Sequence, residues 1–311
     1  MRGLRNYSRA PGGRSKPPAR QTGGMPDALP DLLSSPAPFE VAGHRGALAI
    51  YPGNSLAGFA YALEVGVHAV ELDVWITADD ELVLFHDGVV PTASGPTDIR
   101  LLKLRDIPLS RREQSGFTDE ERAPTLHELL ALFRLAGAAD VIIDVEVKSS
   151  HDVDRGYLDE VTSRVSTVLL AHAPDQAIRV RSFDTRVLER FASLAPSLPR
   201  AGLIAYGWGD DLPAMIPGSV SSATAVASDL NLFALAPQSP WVSREWVSAA
   251  HDAGRQVLAW GGPTLQDEVD SMLAAGCDGL CVDDPATLRR LLVERGHEGP
   301  PVHPVDLPLL A

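Results

Sequence analysis

The sequence predicts an α/β fold, a (β/α)8 barrel of the TIM type with an insertion after its second strand. Three observations lead there. Short β-branched or apolar runs alternate with longer stretches of helical period from about residue 37 onward, as expected for parallel β/α units. Eight such runs can be counted, the number that closes a barrel. No G-x-G-x-x-G follows the first run, so the dinucleotide-binding form of a doubly wound sheet has no support. The 311 residues need not mean two domains, because α/β barrels routinely use roughly 250 residues as one.

Taken in order, residues 1–36 form a basic arm expected to be disordered. Its first 24 residues hold six Arg or Lys and no acid, and it is rich in Gly, Pro and Ser. Met25 stands as an alternative start. The barrel domain is expected over 37–298, with 299–311 as a tail. The strands fall at Phe39–Gly43, Ala69–Val74, Val141–Val147, Ile178–Ser182, Arg200–Leu203, Ala223–Ser228, Gln256–Trp260 and Gly279–Val282. Helices fall at Ser55–Val65, Val153–Leu170, Ser243–Ala253, Leu265–Ala275 and Pro285–Arg295. Residues 87–124 are too long for an ordinary βα loop and carry Pro91, Pro96, Pro108 and Pro124. They are expected to lie over the C-terminal face of the barrel and shape the pocket.

Composition excludes several classes. The net charge is −14, which argues against a nucleic-acid surface and against adsorption to anionic membranes. No run of eighteen apolar residues occurs, so no membrane-spanning helix is expected. The arm has no apolar core of a secretory signal. Cys277 and Cys281 are the only cysteines; their spacing fits neither a redox pair nor a zinc quartet, and they read as buried packing residues. A cytoplasmic address follows. Nothing in the sequence sets the oligomeric state.

The chemistry sits at strand ends. His44-Arg45-Gly46 closes the first strand, Glu71-Leu72-Asp73 the second, and His86 ends a short following run. In Asp144-Val-Glu146-Val-Lys148, alternation puts the three charged residues on one face. Barrel strands converge at their C-terminal ends, so Glu71, Asp73 and Glu146 aim inward at like depth. Three such carboxylates repel, and one should take a proton unless a cation neutralises them. All-oxygen ligation suits Mg2+ or Ca2+ rather than zinc. Asp144 is open to two readings, a group orienting Lys148 or a ligand itself.

These pieces resemble the glycerophosphodiester phosphodiesterases. The ordered set is His44-Arg45-Gly46, Pro52-Gly53-Asn54-Ser55, Glu71-Leu-Asp73 and His86-Asp87. It continues with Pro124-Thr125-Leu126-His127-Glu128, Glu146-Val-Lys148, Ser182-Phe183-Asp184, Trp260 and Gly276-Cys-Asp278-Gly279. The resemblance implies hydrolysis of glycerophosphodiesters to glycerol 3-phosphate and an alcohol, with one divalent metal, Mg2+ or Ca2+. It implies Glu71, Asp73 and Glu146 as metal ligands and His44 and His86 as the acid/base pair. Arg45 and Lys148 would hold the phosphate, and Trp260 would wall the substrate. Such roles suit the residue types: Arg grips bidentately, Lys is a point charge, and His titrates near neutrality.

Three departures from the family pattern are expected to line the substrate side and alter the alcohol accepted. Gly53 replaces a glutamate; Gly88-Val-Val-Pro91-Thr92 replaces an arginine–threonine stretch; Gly261-Gly262-Pro263 replaces threonine and asparagine. A lysophospholipase D or sphingomyelinase-like enzyme and a non-catalytic barrel that binds a phosphometabolite are the alternatives.

Overall fold

The computed structural model describes residues 38–109, 122–149, 155–205, 215–261 and 266–305. The basic arm lies outside the described residues. Eight parallel strands close the barrel: β1 (Glu40–Gly43), β2 (Ala69–Ile76), β6 (Ile142–Val147), β7 (Ile178–Ser182), β8 (Arg200–Ile204), β9 (Ala234–Pro237), β10 (Gln256–Trp260) and β11 (Gly279–Val282). Each pairs with its neighbour in that order, and β1 joins both β11 and β2, closing the ring. Around it run α1 (Leu56–Val65), α2 (Leu126–Ala136), α3 (Arg155–His172), α4 (Thr185–Leu194), α5 (Val220–Asp229), α6 (Arg244–Asp252), α7 (Gln266–Ala275) and α8 (Pro285–Glu294).

Local sequence explains where the helices begin. Ser55 caps α1 through Gly58 N, Asp184 caps α4, Ser219 α5, and Ser243 α6. Thr125 and Glu128 form a reciprocal capping box on α2, which Gly137 ends in the left-handed region. Asp284 caps α8, with Pro285 in its first turn. The outward strand residues Leu72, Val74, Ile143, Val145 and Val180 meet the inner helix faces (Phe59, Leu63, Leu129, Phe133, Phe191) in one core. Each such fully buried side chain contributes about 1.5–3 kcal/mol.

The barrel interior is filled differently. Ala42, Ala69 and Cys281 make one small cluster and Ala201, Ala234 and Leu258 another. These small residues leave room for four buried or half-buried charges, Glu40, Asp144, Arg179 and Arg181. Both cysteines are free and buried, as expected.

The sixth strand is a correction. Residues Ala223–Ser228, expected as a strand, lie within helix α5, where Ala223 and Ala227 bury one face four residues apart. The strand is β9, four residues without a β-branched side chain and closing on Pro237. After β2 the chain turns back through β3 (Leu82–Leu84), antiparallel to β2, then forms the hairpin β4 (Val89–Thr92) and β5 (Gly95–Asp98). This stretch has its own small core of Trp75, Val83, Phe85, Val90, Ile99, Ile107 and Ala123. Residues 110–121 of the expected insertion lie outside the described residues. At the other end, His303 bonds the Leu63 carbonyl through its backbone N–H and lies 3.1 Å from Asp140.

Candidate active site

The turn after β1 sets the first two functional side chains. A Cβ on Gly43 would fall 2.1 Å from the Gly46 carbonyl oxygen. Gly46 has φ +87°, and a Cβ there would meet the Gly58 and Phe59 backbone at 2.7 and 2.9 Å. Only glycine lets the turn pack this tightly on the start of α1. Between them Arg45 takes φ 48°, its N–H donates to Glu71 Oε2 at 3.0 Å, and its carbonyl accepts from Asn54 N at 3.1 Å.

Strands β2 and β6 lie in register with Glu71 opposite Asp144 and Asp73 opposite Glu146. One carboxylate oxygen each from Glu71, Asp73 and Glu146 lies within 4.8 Å of the others. All three are buried. Asn54, also buried, clamps Asp73 twice: Nδ2 donates to Oδ2 at 2.8 Å, and the Asp73 N–H donates to Oδ1 at 3.1 Å. Lys148 Nζ bridges Asp73 Oδ1 at 3.0 Å and Glu146 Oε1 at 2.7 Å, and Arg45 Nε stands 3.1 Å from Asp73 Oδ2.

These neighbours split the carboxylates. Burial would raise Asp73, but Lys148 and Arg45 outweigh it and hold this group well below the usual carboxylate range. Glu71 is pushed up to about 7, first by burial and then by the Asp73 carboxylate, with Glu146 adding to it. A site that leaves one of three carboxylates protonated near neutrality is short of positive charge. The all-oxygen donor set fits a hard divalent cation.

The histidines flank this cluster. His44 Nδ1 donates to Asp283 Oδ1 at 2.6 Å, and its Nε2 stands 3.9 Å from Glu71 Oε2. His86 Nδ1 donates to Asp87 Oδ1 at 2.7 Å. Burial, with the Lys148 and Arg45 charges, pushes His86 below its ordinary value. His44, Arg45, Glu71, His86, Glu146 and Lys148 open on one cavity of about 430 Å3 at the C-terminal ends of the strands. Its other wall is apolar: Trp75, Phe183, Leu203 and Trp260. Phe183 meets Trp260 edge-on at 5.5 Å, and the Trp260 indole N–H is taken by the Ala236 carbonyl at 2.8 Å.

The profile of the glycerophosphoryl diester phosphodiesterase family matches residues 44–287. The chain belongs to this family. It is an enzyme of that class, a phosphoric diester hydrolase. A glycerophosphodiester phosphodiesterase of Caldanaerobacter subterraneus subsp. tengcongensis is 27% identical over 260 residues, 82% of this chain and 98% of its own. A solved Silicibacter pomeroyi structure superimposes with TM-score 0.74 at 26% identity, covering 84% of this chain and 95% of that one. An Oleispira antarctica phosphodiesterase, solved with the product sn-glycerol-3-phosphate, shares the fold with TM-score 0.70 at 22% identity, covering 82% and 97%.

All eight side chains expected from the sequence to form the family site come together at one end of the barrel. Seven of them line the cavity, and Asp73 lies behind it, under Lys148 and Arg45. One expectation changes. Asp144 does not orient Lys148; it accepts from Arg179 at 2.6 Å and from Arg181, because the register places Arg179 beside it on β7. Lys148 lines the cavity while bonded to Asp73 and Glu146. Of the three departures, Gly88 lines the cavity. Gly53 backs Arg45 and Leu48, whose side chains a Cβ there would meet at 3.2 and 3.0 Å. Gly262 and Pro263 lie outside the described residues. Motif and alternation assign no role to Asn54, although it stands in Pro52-Gly53-Asn54-Ser55, and none to Asp283 or Arg181. The signal for Arg181 is the alternation Arg179-Val-Arg181 in a barrel strand.

Proposed function

We propose that this enzyme hydrolyses glycerophosphodiesters to glycerol 3-phosphate and an alcohol, using one divalent cation, Mg2+ or Ca2+, held by Glu71, Asp73 and Glu146. The observation that carries the reading is the meeting of these three carboxylates within 4.8 Å, beside a cavity lined by Glu71, Glu146 and both histidines. The product seen in the Oleispira antarctica neighbour supports it. When bound, the cation supplies Lewis acidity toward a phosphoryl oxygen.

The remaining steps fall to side chains. Arg45 and Lys148 offset charge on the non-bridging oxygens as the transition state gathers it. His86, whose proton affinity is lowered chiefly by burial, would take a proton from the attacking oxygen, that of water in the net hydrolysis. His44 donates Nδ1–H to Asp283, so its Nε2 faces the Glu71 side of the cavity. With both ring nitrogens protonated, His44 would keep Nδ1–H on Asp283 and pass its Nε2 proton to the leaving alkoxide, ending as the neutral imidazole. Trp75, Phe183, Leu203 and Trp260 would hold the alcohol. That apolar wall also favours a second substrate, a lysophospholipid. The free buried cysteines fit a reducing compartment, and we assign the enzyme to the cytoplasm. Among the described residues no helix is long and apolar enough to cross a membrane.

The test is release of choline, with glycerol 3-phosphate from glycerophosphocholine and with lysophosphatidate from lysophosphatidylcholine in parallel, with and without EDTA, by wild type and His44→Ala. Activity lost to EDTA, restored by Mg2+ or Ca2+ and lost in His44→Ala is expected. Turnover that EDTA leaves untouched would sink the cation assignment.

A further inference from the structure

The charged side chains inside the barrel form two rows across three strands. In register, Asp73 on β2 faces Glu146 on β6, which faces Arg181 on β7. One step nearer the N-terminal end, Glu71 faces Asp144, which faces Arg179. Each row therefore reads acid, acid, base, and neighbouring strands stand about 4.8 Å apart. Arg181 belongs to the same row as two carboxylates of the triad, although it comes from a strand that carries no expected site residue.

Its position is fixed from below. Arg179 donates to Glu40 through two bonds, at 2.8 and 3.0 Å, and to Asp144 at 2.6 Å. The same Asp144 oxygen accepts from Arg181. This alternating chain, Glu40–Arg179–Asp144–Arg181, offsets charges that would be costly to bury alone. Its last member lines the catalytic cavity beside Glu71 and Glu146, while Asp144 does not. Arg181 is 2% exposed, and its Nε has no hydrogen-bond partner among the described residues. A buried guanidinium anchored through Asp144 is a fixed positive charge in the cavity lining.

We infer that Arg181 is a positioning residue for the carboxylate triad: an anchored counter-charge that limits how tightly Glu71, Asp73 and Glu146 hold a divalent cation. Three buried carboxylates without it would bind the cation more tightly and repel the phosphate more strongly. The inference rests on the cation site of the proposed function.

Calorimetric titration of the full chain with Mg2+ tests it, in wild type, Arg181→Lys and Arg181→Gln, in which Asp144 keeps its bond from Arg179. Arg181→Lys keeps the charge and should bind within about threefold of wild type. Arg181→Gln should bind roughly tenfold more tightly. A folded Arg181→Gln with an unchanged or weaker constant overturns the inference, as a purely structural role for Arg181 would give. If Arg181→Gln does not fold, Arg181→Met against Arg181→Lys reads the same quantity, and equal constants overturn it. Wild type that binds no Mg2+ or Ca2+ removes the cation site itself, and that failure is distinguishable from the others.

Discussion

Asp283, at the end of β11, holds His44, at the end of β1, by a 2.6 Å contact between Oδ1 and Nδ1. A carboxylate only accepts here, so the bond holds the Nδ1–H, orients the ring and turns Nε2 toward the cavity. The two residues lie 239 positions apart and meet because β1 pairs with β11 to close the ring. Asp283→Asn keeps the shape and weakens that grip. A fall in kcat of about 10- to 100-fold with KM nearly constant is expected. Steady-state kinetics decide it, and a loss confined to KM would contradict this role.

Asn54 is predicted to matter as much for stability as for the site. It takes φ 61°, which asparagine tolerates better than alanine, and gives Asp73 two buried hydrogen bonds. Asn54→Ala should lower unfolding free energy by about 2–4 kcal/mol and weaken cation binding. Urea unfolding reads the first and titration calorimetry the second. A variant as stable as wild type would show that the clamp does little.

The glycine of His44-Arg45-Gly46 is required by packing. Gly46→Ala forces a Cβ into the α1 backbone at a positive φ. A loss of at least about 2 kcal/mol, seen in denaturant unfolding, is expected. Gly53→Ala meets only side chains and should shift the same midpoint far less.

Glu71 makes stability depend on pH in a stated direction. Its folded value of about 7 lies above the ordinary value of about 4.3. Between the two the folded chain binds more protons than the unfolded one. Cation-free stability from this group is therefore greatest at low pH and declines as pH rises toward 7. A divalent cation must displace that proton, so its affinity weakens as pH falls below 7. Mg2+ should raise the urea midpoint much more near pH 8 than near pH 5. Equal increments at both would contradict the assignment.

Much of this was readable in the chain because the site is built at strand ends. Glu71-Leu-Asp73 and Glu146-Val-Lys148 show their inward faces by simple alternation, and parallel pairing brings them together. What could not be read has physical causes. Strand β9 is four residues of Ala, Leu and Pro, a composition without strand preference, whereas Ala223–Ser228 carries the β-branched Thr224 and Val226 yet is helical. Asp144 was ambiguous because its partners sit on β7, some 35 residues on, and pairing between strands leaves no local trace. Gly53 lies against Leu48 and the side chain of Arg45, which lines the cavity, a contact that sequence spacing does not show.

The central claim is that Glu71, Asp73 and Glu146 share one ion between two histidines. A crystal structure of the enzyme soaked with Mn2+, read by anomalous scattering, tests it most directly. The account predicts one strong peak bonded to a carboxylate oxygen of each of the three, with His44 and His86 on the same cavity. A peak elsewhere, or one that omits any of the three, would contradict it.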